Sequence, residues 1–201
     1  VERGAGESAG FPDADYAQHG AHLGTRRDAL GADIVVRVRG WGFDGHGNLD
    51  VSHPDQVVIA LADPLGSPIA VRAAAEHKLV TLALDLVPRV TRAQGMDALS
   101  SQATVTGYKA VVLAADRLPK MFPMLTTAAG TISPAQVFVV GAGVAGLQAI
   151  ATARRLGAVV QAYDVRPAAQ EDIESLGARC ILLPLGPGDA EDQSGYAKEL
   201  G

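Results

Sequence analysis

Short apolar runs rich in β-branched residues alternate along the chain with alanine-rich stretches that have the composition of helices. Each run has the length of a buried strand, and the spacing between runs leaves room for one helix at a time. We predict strands over residues 32–38, 56–62, 78–85, 137–140, a run ending at Asp164, and 179–183. We predict helices over residues 14–30, 68–77, 101–118, 168–176 and directly after the glycines at 141–146. Strands that alternate with helices in this way predict parallel α/β sheets.

The polarity of the chain changes after Pro88, since residues 89–102 are dense in charged, amide and hydroxyl side chains. We predict two Rossmann-like lobes with a cleft between them: an N-terminal α/β lobe over 1–99 and a nucleotide-binding lobe over 100–201. A complete dinucleotide-binding domain has about six parallel strands, whereas the pattern predicts only three in the second lobe. We therefore expect the second lobe to be incomplete and the first to be truncated at its start.

The bulk composition argues against several classes of protein. A net charge of −5 and a pI near 5.5 argue against a nucleic-acid-binding surface. The single cysteine, Cys180, suits a reducing compartment, and its apolar neighbours predict a small buried strand residue rather than a nucleophile. The five histidines show no metal-ligand spacing, so no metal site is predicted. No apolar run reaches the roughly 18 residues of a membrane span, so we expect membrane association only through a partner.

The stretch 136–164 reads as strand, glycine turn, amphipathic helix and second strand, in the order of a dinucleotide-binding unit. Gly141 permits the tight turn, Gly143 lets the backbone approach a pyrophosphate, and Gly146 lets the helix pack close to the strand. The helix N-terminus offers amide donors to phosphate groups. Asp164 follows Gly141 by 23 residues, where an acid accepts hydrogen bonds from ribose hydroxyls.

A second cluster of polar residues follows the strand at 78–85, at an edge where open α/β sheets bind ligands. A nicotinamide ring needs a donor and an acceptor to hold its carboxamide, and Gln94 with Ser100 can supply both. The alternative is structural: Arg89 and Asp97 form an ordinary ion pair, and Ser100 caps the long helix. The composition leaves both interpretations open.

Several of these segments together resemble the NAD(H)-binding component (domain I, alpha subunit) of proton-translocating NAD(P) transhydrogenases. They are RAQGMDALSSQ, GYKAVVLAA, TAAGTISPAQV, GAGVAG and YDVRP. The resemblance covers nearly the whole chain and implies residues in three roles. The nicotinamide would be held by Arg89, Gln94, Asp97 and Ser100, the pyrophosphate by Gly141, Gly143, Val144 and Gly146, and the adenosine ribose by Asp164, Val165 and Arg166. The resemblance also implies that Tyr196 lies in a mobile loop that closes over bound nucleotide.

The resemblance implies hydride transfer between NAD(H) on this chain and NADP(H) on a partner domain, coupled to proton translocation by membrane-spanning subunits. It also implies a homodimer on the cytoplasmic face of a bacterial inner membrane. Two departures are visible. Gly95 stands where the family more often has Ser, and the family's first strand and helix, with everything after the mobile loop, are absent from this sequence.

The runner-up is a stand-alone amino- or hydroxy-acid dehydrogenase of the alanine dehydrogenase type, which shares the fold and the glycine turn. Those enzymes carry a Lys on the strand matching 32–38 and a His on the strand matching 56–62. Here Arg37 and Arg39 lie on or just after the first strand and make poor proton shuttles, and the second strand has no His. A non-catalytic nucleotide-sensing module is a third possibility. We also expect NAD to be preferred over NADP, because Asp164 would repel a 2′-phosphate, although Arg166 is the residue type that accommodates one.

Overall fold

The computed structural model describes residues 1–40 and 52–183, and the chain divides into two compact units, Val1–Ala98 and Leu99–Gly201. Among the described residues, each unit contains a three-stranded sheet in which all strands run parallel. The predicted α/β class with parallel sheets is therefore confirmed in both halves of the chain.

In the first unit the strands lie side by side in the order of the sequence, so that Ile34, Val57 and Val80 are register partners. The strands are β1 (Ile34–Arg39), β2 (Val57–Leu61) and β3 (Val80–Ala83). The helices are α1 (Asp13–Gln18), α2 (Arg26–Leu30) and α3 (Pro68–Glu76), and short 3-10 turns cover Glu7–Ala9, Leu84–Leu86 and Thr91–Met96. The strands and the helix predicted between residues 32 and 85 are all present.

Buried and exposed side chains alternate along β1. The run of apolar residues instead predicts a strand that is buried on both faces. Val35 is 5% exposed and packs in a core with Leu30 and Val58, whereas Val36 and Val38 are 73% and 78% exposed. Successive side chains of a strand point to opposite faces of the sheet. The expectation of a strand buried on both faces is therefore wrong for β1, because the described residues cover only one face.

The predicted helix over residues 14–30 is also wrong, since two short helices replace it. Gly20 has a φ of +85° just after α1, a conformation that does not continue a helix. Thr25 then starts α2 with a capping box, in which its Oγ1 accepts from the Asp28 amide and the Asp28 carboxylate accepts from the Thr25 amide. The composition of the stretch suits a helix, but the local glycine and cap divide it.

Gln56 is a fully buried polar residue directly before β2. Its Nε2 donates to the carbonyl oxygens of Leu30, at 2.8 Å, and Ala32, at 2.6 Å. The amide thereby connects the end of α2 and the residues before β1 to the neighbouring strand, and it satisfies the buried carbonyl of Leu30 and the partly buried carbonyl of Ala32.

The second unit holds the other parallel sheet and an antiparallel hairpin. The helix α4 (Ala98–Arg117) starts at the boundary between the units and leads into the hairpin strands β4 (Leu125–Thr127) and β5 (Gly130–Ile132). The remaining elements are β6 (Gln136–Val140), α5 (Val144–Arg155), β7 (Val159–Tyr163), α6 (Ala169–Ser175) and β8 (Arg179–Cys180). The sequence pattern predicts neither strand of this hairpin.

The core of the second unit forms where α5 and α6 pack on the sheet, and Ile150 and Ile173 are fully buried there. Gly157, at φ +90°, lies just after α5. Arg154 and Arg155 lie in the last turn of α5, where the negative end of the helix dipole favours cations. Cys180 lies in β8 and packs against this core. Burial, with the nearby carboxylates of Glu174 and Asp164, raises the pKa of its thiol, which suits the predicted structural role.

Candidate nucleotide-binding site

The glycine turn joins β6 to α5. Gly141 follows the strand with a φ of +89°, and its amide donates to the carbonyl oxygen of Tyr163 on β7 at 2.7 Å. Gly143 is the N-cap residue of α5, and its carbonyl oxygen accepts from the amide of Leu147 at 2.8 Å. The first amides of α5 therefore have no partner further back in that helix, which is the property that favours anions at a helix N-terminus.

The three glycines of the turn meet different surroundings. A Cβ atom on Gly146 would collide with the carbonyl oxygen of Gly141, so the absence of a side chain is what lets α5 run against the turn. A Cβ atom on Gly143 would meet no protein atom within 4 Å. Gly143 is therefore not required by packing within the described chain. These surroundings fit the roles that a pyrophosphate-binding turn assigns to its glycines.

Asp164, directly after β7, is bound on both carboxylate oxygens. Its Oδ2 accepts from the amide of Ala142 at 2.6 Å, and its Oδ1 accepts from the amide of Arg166 at 2.8 Å. The Arg166 guanidinium donates through Nε to Oδ1 at 3.0 Å and through Nη2 to Oδ2 at 3.2 Å, in the two-pronged geometry of a strong ion pair. Nη2 also lies 3.2 Å from the carbonyl oxygen of Ala142. Asp164, Arg166 and Ala142 thus form one connected group, which we call the Asp164 clasp.

The electrostatics of the clasp favour an ionised carboxylate. Burial alone would raise the pKa of Asp164, since its side chain is only 7% exposed. The hydrogen bonds from the Arg166 side chain and from the amides of Ala142 and Arg166, with the positive charge of Arg166, outweigh that effect and hold the pKa below its ordinary value.

The structure brings together, within the second unit, all the predicted pyrophosphate and ribose residues. Val144 is the first residue of α5 and is 45% exposed, while Val165 follows Asp164 and is partly buried. Tyr196 lies outside the described residues.

The polar stretch that begins at Arg89 is folded more regularly than the sequence predicts. Gln94 is exposed on the 3-10 turn Thr91–Met96, and Arg89 is exposed just before that turn. The helix α4 begins at Ala98 rather than 101, so Ser100 lies in its first turn and Asp97 directly precedes it. Gln94 and Ser100 therefore lie in two helical segments joined at Asp97, and Arg89 precedes the first of them. Arg89, Gln94 and Asp97 belong to the first unit and Ser100 to the second, so their approach to the glycine turn stays a prediction.

Asp85 is a residue near this stretch that the sequence interpretation does not single out. Its Oδ1 accepts from the amide of Ala62 at 2.8 Å and so joins the carboxyl ends of β2 and β3. An aspartate at the end of an apolar strand is the sequence feature that could have indicated this role. The sequence does not show which group it binds.

The remaining titratable residues do not form a metal centre in the part of the chain that is described. Across residues 1–40 and 52–183, no group of three or more His, Cys, Asp or Glu side chains is placed to hold a metal ion. His19, His22 and His77 are exposed, His53 is partly exposed, and His46 lies outside the described ranges. Over the same ranges, no helix is both long and apolar enough to cross a membrane.

A parallel sheet, a glycine turn that opens a helix, and an acid that closes the next strand define an α/β domain of the dehydrogenase type. The chain belongs to the alanine dehydrogenase/PNT family. The profile described as "Alanine dehydrogenase/PNT, N-terminal domain" matches residues 1–106, and that described as "Alanine dehydrogenase/PNT, C-terminal domain" matches residues 110–198.

Named relatives point to one branch of that family, which confirms the resemblance seen in the sequence. The chain is 44% identical over 202 residues to a protein of Rickettsia prowazekii named as the first part of NAD(P) transhydrogenase subunit alpha, covering 99% of this chain and 52% of the relative. It is 43% identical over 206 residues to the protein of the same name from Rhodospirillum rubrum, covering 100% of this chain and 54% of the relative. The chain thus spans about half the length of these relatives.

Two solved structures agree with the fold. A transhydrogenase from Sinorhizobium meliloti superposes with a TM-score of 0.86 at 51% identity, over 92% of this chain and 53% of that one. An L-alanine dehydrogenase superposes with a TM-score of 0.73 at 23% identity, over 90% of this chain and 50% of that one. The second likeness supports the fold alone.

Proposed function

We propose that this chain is the NAD(H)-binding component of a proton-translocating NAD(P) transhydrogenase. The observation that carries the proposal is chain-long similarity to proteins named as subunit alpha of that enzyme, at 42–44% identity in several of them. The geometry of the glycine turn and the Asp164 clasp supports it, since both suit a dinucleotide. On this proposal, residues 1–99 form an N-terminal α/β lobe and residues 100–201 carry the nucleotide-binding site.

The roles of the binding residues follow from their surroundings. The first turn of α5 would donate amide hydrogen bonds to the pyrophosphate, while the positive φ of Gly141 and the open space at Gly143 let the backbone approach it. Val144 would cover one side of the phosphates, and Gly146 would keep the helix close to the turn. Beside the adenosine ribose we place Asp164, Val165 and Arg166. Tyr196 would contact the bound nucleotide from a closing loop.

The residues from Arg89 to Ser100 would hold the nicotinamide end and set the face that the ring presents. Bound NAD(H) and NADP(H) would supply the hydride chemistry, a transfer of hydride from C4 of one nicotinamide ring to C4 of the other. No substrate O–H or N–H proton is lost in such a transfer, so positioning dominates and no general base is needed. Arg89 and Gln94 are exposed and Ser100 is partly buried, so this stretch presents polar groups at the surface that suit such positioning.

The proposal includes the partners of the complex. NADP(H) would be held by a separate domain, membrane-spanning subunits would couple the transfer to proton movement, and the component would act as a homodimer. The relatives are named as one portion of a subunit alpha, which supports a multi-subunit enzyme. We place the component on the cytoplasmic face of a bacterial inner membrane, attached through those subunits.

A mixing assay tests the proposal. The full-length gene product is combined with an NADP(H)-binding domain, and hydride transfer from NADPH to an NAD analogue is followed by absorbance. Arg89→Ala and Gln94→Ala should slow transfer far more than they weaken NADH binding, while Gln18→Ala, at an exposed glutamine of α1, serves as the matched control. Absence of transfer by the unaltered protein would overturn the proposal. Normal transfer rates in both variants would show that the stretch from Arg89 to Ser100 has only a structural role.

The second candidate is an alanine dehydrogenase-type enzyme, which the family description favours. Such a reaction needs an acid or base tuned near neutral pH. Neither β1 nor β2 carries a Lys or a His, and an arginine such as those of β1 makes a poor proton shuttle. Turnover that depends on alanine or pyruvate, without transfer to NADP(H), would select this candidate. NADH binding with neither activity would select a sensing module.

A further inference from the structure

The neighbourhood of Asp164 contains two residue types that predict opposite cofactor preferences. An acid at the end of the second strand favours the free ribose hydroxyls of NAD, while a nearby arginine accommodates the 2′-phosphate of NADP. In the structure these two side chains bind each other. Both oxygens of Asp164 accept from the Arg166 guanidinium, at 3.0 and 3.2 Å, and the two side chains are only 7% and 21% exposed.

We infer that Asp164 selects NAD over NADP by occupying Arg166, as well as by repelling a 2′-phosphate. The inference rests on the proposed function and deepens it by assigning a selectivity role to a residue pair. A carboxylate and a phosphate offer the guanidinium the same two-pronged acceptor geometry, so they compete for the same donors. While Asp164 holds the Nε and Nη2 donors, that edge of the Arg166 guanidinium is not available to a phosphate group.

Releasing Arg166 would disturb more than one bond. Its Nη2 also donates to the carbonyl oxygen of Ala142, and the amide of Ala142 donates to Asp164. A guanidinium that turned towards a 2′-phosphate would leave a shielded carboxylate without its cation and remove a donor from the glycine turn. The clasp therefore ties cofactor selectivity to the conformation of the turn that would receive the pyrophosphate.

The charge balance within the clasp determines what each substitution should do. Asp164→Asn removes the competing negative charge and leaves Arg166 in place, so NADP(H) should gain a cationic partner. Arg166→Gln removes the cation and leaves the acid, so the preference for NADH should persist. If selectivity came from repulsion by Asp164 alone, the effect of Asp164→Asn would not depend on residue 166.

A double-mutant cycle measures that dependence. NADH and NADPH affinities are determined by fluorescence titration for the full-length wild type, Asp164→Asn, Arg166→Gln and the double variant. We expect Asp164→Asn to shift the affinity ratio towards NADPH by about tenfold or more, and the double variant to lose most of that shift. A shift of equal size in both backgrounds, or no shift in Asp164→Asn, would overturn the inference.

Two controls make the outcomes distinguishable. Thermal unfolding of each variant shows whether the fold is retained. If Arg166→Gln does not fold, Arg166→Lys replaces it in the cycle, since a lysine keeps the charge without the planar fork and should retain only part of the shift. A wild type that binds NADH while the cycle shows no coupling overturns this inference alone. A wild type that binds neither nucleotide overturns the proposed function as well.

Discussion

Gly107, near the middle of α4, lies directly against the carbonyl oxygen of Ala145 in the first turn of α5. A Cβ atom on Gly107 would collide with that oxygen and would lie 3.1 Å from the Cβ of Gln148. The two helices therefore cross at backbone distance. Since α4 carries Ser100 in its first turn and α5 follows the glycine turn, this contact fixes the relative position of two segments that we assign to nucleotide binding.

We expect Gly107→Ala to lower the free energy of unfolding, because the added methyl group forces the helices apart. Overpacking of this kind costs about 1–3 kcal/mol, reduced here by the better helix propensity of alanine. Urea unfolding measures the change. Gly95→Ala is the matched control, because its Cβ would meet no atom within 4 Å, and it should leave stability unchanged or slightly raised. Equal stability in the two variants would contradict the close crossing.

Substitutions at Gly141 and Gly143 should have different effects on stability and on NADH affinity. Gly143→Ala should change the free energy of unfolding by less than about 0.5 kcal/mol, because Gly143 has a φ of −75° and its Cβ would meet no protein atom. It should still weaken NADH binding about tenfold, if a pyrophosphate approaches there. Gly141→Ala should cost roughly 1–2 kcal/mol of stability, because its φ is +89°. Calorimetry measures the NADH affinity of both variants, and thermal unfolding measures their stability. Normal NADH binding by Gly143→Ala would contradict the prediction.

The stability contributed by Asp164 should depend on pH with a defined sign. Its pKa in the folded chain is below the ordinary value, so the contribution is fully present above the unfolded-state pKa of about 4 and is lost as pH falls through the folded-state pKa. We expect Asp164→Asn to lower the free energy of unfolding by about 1–3 kcal/mol near neutral pH. That difference should shrink below about pH 4.

Urea unfolding of the wild type and Asp164→Asn at several pH values measures this dependence. Asp116→Asn, at an exposed carboxylate of α4, is the control and should differ from the wild type by less than about 0.5 kcal/mol at neutral pH. A difference for Asp164→Asn that grows on acidification would show that the carboxylate is not stabilised in its ionised form.

Gln56 should behave as a structural residue of the first unit. Gln56→Met keeps a similar volume but removes both donors, which leaves the buried carbonyl oxygen of Leu30 and the partly buried one of Ala32 without this partner. We expect a loss of about 1–3 kcal/mol, and Gln170→Met, at a glutamine that bonds Glu174 on the exposed side of α6, should change stability far less. Similar losses in the two variants would show that the buried amide makes no special contribution.

The features predicted well from the sequence are those encoded within a few consecutive residues. The run from β6 through the glycine turn to Asp164 was predicted correctly, because strand, turn and helix each follow from local composition and from the conformational freedom of glycine. The short strands of the first unit were found for the same reason. The helix over 14–30 failed because one glycine and one capping box outweigh an otherwise helical composition.

The sequence by itself thus determined the parallel α/β class, the family and the residues on which a nucleotide site can be proposed. Only the tertiary structure decided which partners those residues have. The contact of Gly107 with Ala145, the amide of Gln56 on two carbonyls, and the bond from the Ala142 amide to Asp164 each join segments that are far apart in the chain. Such contacts depend on how the backbone is folded in space, which no local pattern encodes. Even Arg166, two residues from Asp164, pairs with it through a geometry that spacing alone does not specify.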